Sequence, residues 1–387
     1  MEADNRIQCS VVEHASQLEE LRSEWTALLA RSSTNEPTLA PEWALTWWRV
    51  FGGLDGRELK TALFREDGRL VGMAPLLKRR YFYPGKLPFQ RLEPLGTGED
   101  LEDEVCSDYA NVISEKGAED RVARALAQTL AIGKFGNWDE LLLPMANGEA
   151  PCVQSLIAAF GSQGFDARAD EAGASPYIPL PRTWEQYLEA LSSDDRYYLA
   201  RSMREFDKWA GGEVEVKHAT SRADLEIGKK ILIELHRERW SAEGKQGVFA
   251  SSHFSAFHEA LLPQLLDAGA LELMWVSVRG APIAALYNIA WNGKIYCYQS
   301  GRTLDVPRNV RPGVIAHVYA IRRAIETGRS EYDFMAGTSQ FKRKLALAYK
   351  PLVRVRAVRK SLIEYVRVFA ESAAAATRTL RKRHRAR

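Results

Sequence analysis

The chain has 387 residues, 46% hydrophobic and 27% charged, with a formal net charge of +3. That length accommodates two or three domains of about 100–200 residues and a core that needs no disulfide or metal staple. So small a net charge excludes an electrostatic nucleic-acid binder over the bulk of the protein, although residues 361–387 hold a local +5 and leave the first 360 at −2.

Four cysteines, Cys9, Cys106, Cys152 and Cys297, are scattered without a close pair. This excludes a CxxC metal or redox motif and points to a reducing compartment. The start, MEADNRIQCS, has no apolar signal segment, and no run of about 18 apolar residues exists, so a cytoplasmic protein is expected.

Residues 7–13 read as a strand. Ser16 can cap a helix carrying Leu18, Leu21, Trp25, Leu28 and Leu29 on its apolar positions. The aromatic-rich PEWALTWWRVFGG has Pro41 suited to a helical first turn. Strands at 59–64 and 70–77 flank a turn at Glu66-Asp67-Gly68-Arg69, and DYANVI reads as a further strand. Helix, strand and helix follow in AEDRVARALAQTLAIG, NWDELLLPM and PCVQSLIAAFGSQG. Such alternation argues an α/β or α+β layered fold.

Residues 181–212 form a charged helical connector, in which Arg196, Arg201 and Arg204 lie near Asp194, Asp195 and Glu205. A solvated surface held by i,i+4 pairs is the plain reading. Then the first pattern returns: a strand (VEVKHA), two helices, and a meander whose turns are Arg279-Gly280 and Asn292-Gly293. Leu59 stands nine residues before Gly68 and Leu271 nine before Gly280, with an apolar strand after each glycine. The repeated order of elements points to a duplicated domain. The expected division is 1–180, a connector 181–212, a second domain 213–360, and a tail 361–387.

Phosphate-loop, dinucleotide, zinc-protease and nucleophile-elbow signatures are absent. The informative stretch is 295–326. A strand of alternating aromatics ends in Gln299-Ser300-Gly301, and a loop with Arg302, Arg308 and Arg311 leads to a helix opened by Pro312-Gly313. Free N–H groups at a helix start, with arginines alongside, make an anion site; arginines in a solvated loop would read the same.

The order strand, anion loop, helix, strand resembles the heart of the GNAT (Gcn5-related N-acetyltransferase) fold, whose loop holds the pyrophosphate of coenzyme A. The loop Arg308-Asn309-Val310-Arg311-Pro312-Gly313 fits its [QR]-x-x-G-x-[GA] pattern at both ends, with Arg311 in place of the central glycine. Further residues resemble the acetyltransferase family named for the CelD/BcsL proteins of cellulose biosynthesis. They are Arg311-Pro312-Gly313, Ile325-Glu326-Thr327-Gly328, Tyr332-Asp333-Phe334-Met335-Ala336-Gly337 and Phe341-Lys342. Thr338 and Phe341 depart from that family's usual acid and Tyr. PEWALTWWRVFG, SDYANVI and the connector are similar too, so the likeness covers roughly 10–360.

The resemblance implies two tandem GNAT-like domains, each a mixed, mostly antiparallel sheet flanked by helices. It is related to Fem ligases, which transfer amino acids from aminoacyl-tRNA. It implies an acyltransferase moving an acyl group from acetyl-CoA or another acyl-CoA, without a metal, to an amine or hydroxyl of a sugar or envelope-polysaccharide precursor. Asp333 would orient or deprotonate the acceptor, Lys342 would neutralise a phosphate or the tetrahedral intermediate, and Tyr298 joins them as a candidate proton donor. Gln299, Ser300, Arg308, Arg311 and Gly313 would hold the donor, and Tyr332 and Phe341 the acceptor. The plain reading has Asp333 only capping a turn or pairing with Lys342. A tRNA-dependent transferase and a non-catalytic scaffold remain the alternatives.

The tail can begin as a helix with Leu362, Tyr365, Val366 and Phe369 on one face, and it ends in a basic run. A solubilising terminus, an anionic lipid surface at the inner membrane face and nucleic acid all fit it; the mildly acidic body speaks against nucleic acid.

Overall fold

The computed structural model describes residues 7–372. Turns form where the sequence places them. Asp67-Gly68, Arg279-Gly280 and Asn292-Gly293 all take left-handed φ, between 47° and 79°, which suits the twist of the hairpins they join.

Each half of the chain starts the same way. In the first, strands Gln8–Val12, Thr61–Glu66, Arg69–Ala74 and Ile113–Ser114 form an antiparallel sheet in that order. In the second, Val214–His218, Leu271–Val278, Ala281–Trp291 and Lys294–Arg302 repeat it. Helices Arg22–Arg31 and Pro41–Phe51 in one half, and Arg222–Ala242 and Ser252–Asp267 in the other, separate the first strand from the hairpin. The fold is thus α/β, two similar units of mixed, mostly antiparallel sheet flanked by helices.

The units share strands. Asp166–Pro179, from the first half, lies between Glu331–Asp333 and Ala348–Val358 of the second. Ala348–Val358 lies in turn between Asp166–Pro179 and Glu140–Asn147 of the first. One eleven-stranded sheet therefore runs through both halves. Apolar packing adds to this. Trp43 meets Phe257 edge-on at 5.0 Å and Tyr298 at 5.5 Å, so the aromatic-rich helix Pro41–Phe51 faces the second unit.

The connector folds as Trp184–Ala190 and Ser193–Ala210, the latter capped by the Ser192 hydroxyl and stopped by Gly211 at φ 65°. Only part of it is a solvated surface. Leu199, Ser202, Phe206 and Ala210 are buried in the core that also holds helix Pro312–Glu326. DYANVI departs from the expected strand: pairing begins only at Ile113. Cys106 and Tyr109 take φ of 49° and 67°, which no strand accommodates, so residues 105–112 form a tight loop. Residues 362–372 form the helix expected of the tail, and its basic run lies outside the described residues. Among the described residues no helix is long and apolar enough to cross a membrane.

Candidate active site

Strand Lys294–Arg302 runs parallel to Glu331–Asp333 for three residue pairs, ending at Tyr296 opposite Asp333. Beyond that point the two diverge, for two local reasons. On one side Tyr287 pairs with Gln299 and Asn288 with Cys297, so Tyr298 is an extra residue that bends its strand. On the other, the Asp333 carboxylate accepts the Met335 N–H at 2.6 Å and Met335 turns to φ 58°, ending the strand.

The wedge between them opens on a compartment of about 170 Å³ lined by Cys297, Gln299, Ser300, His236, Trp240 and Lys342. Arg239, Ser300 and Phe341 also line an adjoining groove of about 390 Å³. The groove holds Arg239, Arg302, Arg308 and Arg311, and none of the described residues that line it is a carboxylate. Burial, and then the neighbouring Arg239 charge, push the Arg302 guanidinium down. Arg239 Nε is buried without a hydrogen-bond partner among the described residues. Like charges held this close and partly desolvated favour an anion between them.

Helix Pro312–Glu326 points its start into the groove. Pro312 brings no N–H, and the N–H groups of Gly313 and Val314 have no acceptor among the described residues. They and the helix dipole suit a phosphate. Arg308 is exposed and free of hydrogen bonds or ion pairs among the described residues. Arg311 is held from outside the groove: it donates to Ser202 Oγ at 3.1 Å and stacks 4.8 Å over Tyr198. Gly301 serves packing, since a Cβ there would stand 2.7 Å from the His236 backbone N.

The structure brings Gln299, Ser300, Arg308, Arg311, Gly313, Phe341 and Lys342 to this joined cavity. It sets Asp333 and Tyr332 behind its wall and engages the Tyr298 hydroxyl elsewhere. Asp333 is completely buried, and its carboxylate also accepts from Tyr109 Oη at 2.7 Å, Ser175 Oγ at 2.8 Å and Lys350 Nζ at 2.7 Å. Its ion-pair partner is thus Lys350, whose ammonium is held up to about 12 by Asp333 and Glu331 against the opposing effect of burial. Tyr332 is completely buried, 2.9 Å from His317 Nδ1. Burial drives that imidazole down to about 3, so it is neutral. Tyr298 lines the compartment, but its hydroxyl donates to the Val105 carbonyl at 2.7 Å and lies 3.0 Å from His258 Nε2. Burial pushes that phenol well above its usual value.

Lys342 is half-buried and donates to the carbonyls of Ala336 at 2.7 Å and Met335 at 3.3 Å. Burial lowers its ammonium from the usual lysine value. On the other side of the same backbone lies Asp108, from the first unit, whose Oδ2 accepts the Ala336 N–H at 2.7 Å. Burial raises the Asp108 carboxyl to about 6, against the pull of the Ala336 N–H and the Lys342 charge. The sequence reading passed over Asp108. The left-handed Cys106, Tyr109 and Met335 all lie around this point, and such strained residues gather at working sites. The Cys106 thiol is pushed up by desolvation and by Asp108, away from thiolate character.

Residues 193–343 match the family model described as "Acetyltransferase (GNAT) domain". The match spans the connector helix, the arginine groove and Lys342. A search of curated proteins finds no match. Among solved structures, the chain is similar to one described as FemX, with a TM-score of 0.60 and 12% identity over 86% of this chain and 95% of that one. It is also similar to a conserved protein of unknown function from Bacteroides thetaiotaomicron VPI-5482, with a TM-score of 0.55 and 13% identity over 91% and 100%. These likenesses extend the fold to nearly the whole chain. The matched domain supports acyl transfer as the class of reaction, with an acyl-CoA as the co-substrate such domains use.

Proposed function

We propose that the protein transfers an acyl group from acyl-CoA to an amine or hydroxyl of a sugar or envelope-polysaccharide precursor. One observation carries the reading: a groove with four arginines and an open helix start runs into a wedge between diverging strands, with Lys342 on the wall of the wedge. Arg239, Arg302 and Arg308, with the N–H groups of Gly313 and Val314, would take the donor's phosphates. The wedge would receive the thioester arm beside Gln299 and Ser300. The resemblance of the 311–342 motifs to the CelD/BcsL-named family supports the acceptor class.

In this reading Lys342 is the catalytic cation, stabilising the negative charge that develops on the thioester carbonyl. Asp108, which lines neither cavity, is a positioning residue that holds the Ala336 N–H while Lys342 holds the Ala336 carbonyl. Asp333 is a positioning residue: it holds Tyr109, Ser175, Lys350 and the turn at Met335. Transfer is direct, with no enzyme-bound acyl group: the acceptor's nitrogen or oxygen bonds to the thioester carbonyl carbon, the C–S bond breaks, and the proton lost by the acceptor ends on the departing coenzyme A thiol. A donor borne on tRNA is the second reading, favoured by Pro312, which removes one of the N–H groups a pyrophosphate would use.

The test is free-thiol release from acetyl-CoA and longer acyl-CoAs with a panel of amino sugars and polyol sugars, run beside aminoacyl-tRNA transfer to the same acceptors. Sugar-dependent thiol release supports the proposal. Transfer from aminoacyl-tRNA alone replaces it with the second reading.

A further inference from the structure

The helix at 362–372 turns Glu364 and Arg367 inward and a stripe of apolar side chains outward. Glu364 and Arg367, one turn apart, are both buried. Arg356 donates to the two Glu364 oxygens at 2.9 and 2.8 Å, and Arg367 donates to them at 2.6 and 2.7 Å. Arg356 continues to the completely buried Glu140 at 2.6 Å, which also accepts from Arg91 and Tyr83, both at 2.7 Å. The Arg367 guanidinium stacks 5.1 Å over the Tyr83 ring.

Helical spacing then sends Leu362, Tyr365, Val366 and Phe369 to solvent, 85%, 65%, 55% and 76% exposed. Rolling the helix to bury this stripe would strip Glu364 from two arginines and leave Arg356 with half its partners, which is strongly unfavourable for a buried pair. The stripe is therefore held outward by an ion network. Directly after it, residues 373–387 carry Arg378, Arg381, Lys382, Arg383, Arg385 and Arg387 and no acidic residue.

We propose that this end of the chain docks on an anionic lipid bilayer. The stripe of Leu362, Tyr365, Val366 and Phe369 would enter the headgroup boundary, and the basic run would supply the attraction to anionic lipid. An apolar helical face joined to a cluster of four to eight Lys/Arg is the chemistry such a surface binds. A second copy of the chain fits less well, because pairing the stripes would bring two strongly basic ends together. Nucleic acid would use the basic run and leave the stripe unused.

The test is co-sedimentation of the full chain with vesicles of phosphatidylglycerol and phosphatidylcholine, and with vesicles of phosphatidylcholine alone, at low and high salt. Two variants accompany it: Leu362→Ser with Phe369→Ser, and Arg381→Ala with Lys382→Ala and Arg383→Ala. The stripe residues are exposed, so the first variant keeps the native melting temperature. The expected result is binding to the anionic vesicles only, weakened by salt and reduced about tenfold or more in each variant. No binding to anionic vesicles overturns the proposal, as does binding that survives the loss of Leu362 and Phe369. A dimer in light scattering that the first variant abolishes assigns the stripe to a second copy instead. Retention on nucleic acid without vesicle binding assigns the basic run there.

Discussion

Asp108 and Lys342, 234 positions apart in the chain, grip the same short piece of backbone. Asp108 Oδ2 accepts the Ala336 N–H and Lys342 Nζ donates to the Ala336 carbonyl, each at 2.7 Å. One group comes from each unit, so the site is complete only when the two halves are packed together.

Lys342→Met keeps the bulk of the side chain and removes its charge. Loss of a group that stabilises developing negative charge lowers kcat by about 10²–10³. The circular-dichroism spectrum should stay native and the melting temperature within a few degrees, because the lysine is half-buried at a cavity edge. An unchanged kcat removes Lys342 from the chemistry.

Asp108 carries a pH prediction for stability. Its folded-state value exceeds the ordinary 3.8, so the folded protein binds the extra proton between about pH 4 and 6. Stability is therefore lost as pH rises through that window. Asp108→Asn, which still accepts from Ala336, should melt above the parent at pH 8 and no higher at pH 4. Calorimetry at the two pH values checks this.

Asp333→Ala should damage the fold before the chemistry. It leaves Lys350 buried beside Glu331 alone and strips Tyr109 and Ser175 of their acceptor. Breaking a buried pair in this way costs about 3–5 kcal/mol. Urea unfolding of Asp333→Ala and Asp333→Asn measures it, and a near-native midpoint for the alanine variant contradicts the positioning role.

Gly301→Ala tests the packing that sets the groove's width. The added Cβ would stand 2.8 Å from Leu235 Cβ and 2.9 Å from the Leu232 carbonyl, pressing on the helix that carries Arg239. Overpacking of this kind costs about 1–3 kcal/mol, and donor affinity should fall with it. A variant with native stability and affinity would show that this helix yields freely.

The arginine groove was legible in the sequence because its parts are local: a strand end, three arginines and a Pro-Gly helix start within about 20 residues. The hairpins were legible for the same reason, each turn being written in two adjacent residues. Asp108 was not. Asp-Tyr-Ala-Asn-Val-Ile alternates like a strand, and nothing local marks Cys106 and Tyr109 as left-handed. Its partner, Ala336, is 228 residues away. The shared strands were hidden for a similar reason. Asp166–Pro179 has little alternation, neither it nor Ala348–Val358 stands out as a strand, and a strand pattern does not name its neighbours in any case. Asp333 drew attention as an acid among aromatics, yet only the packed structure shows that Lys350, rather than Lys342, is its ion-pair partner.

The most direct measurement is a thermal-shift titration with coenzyme A, acetyl-CoA and a long-chain acyl-CoA on the parent protein, Arg308→Ala and Arg239→Ala. Arg308 has no hydrogen-bond or ion-pair partner among the described residues, so its variant reports on the ligand. The account predicts a rise in melting temperature with acyl-CoA that grows by mass action and is reduced in both variants. No shift at millimolar ligand, or a shift that neither variant alters, would contradict the assignment of the groove to the acyl donor.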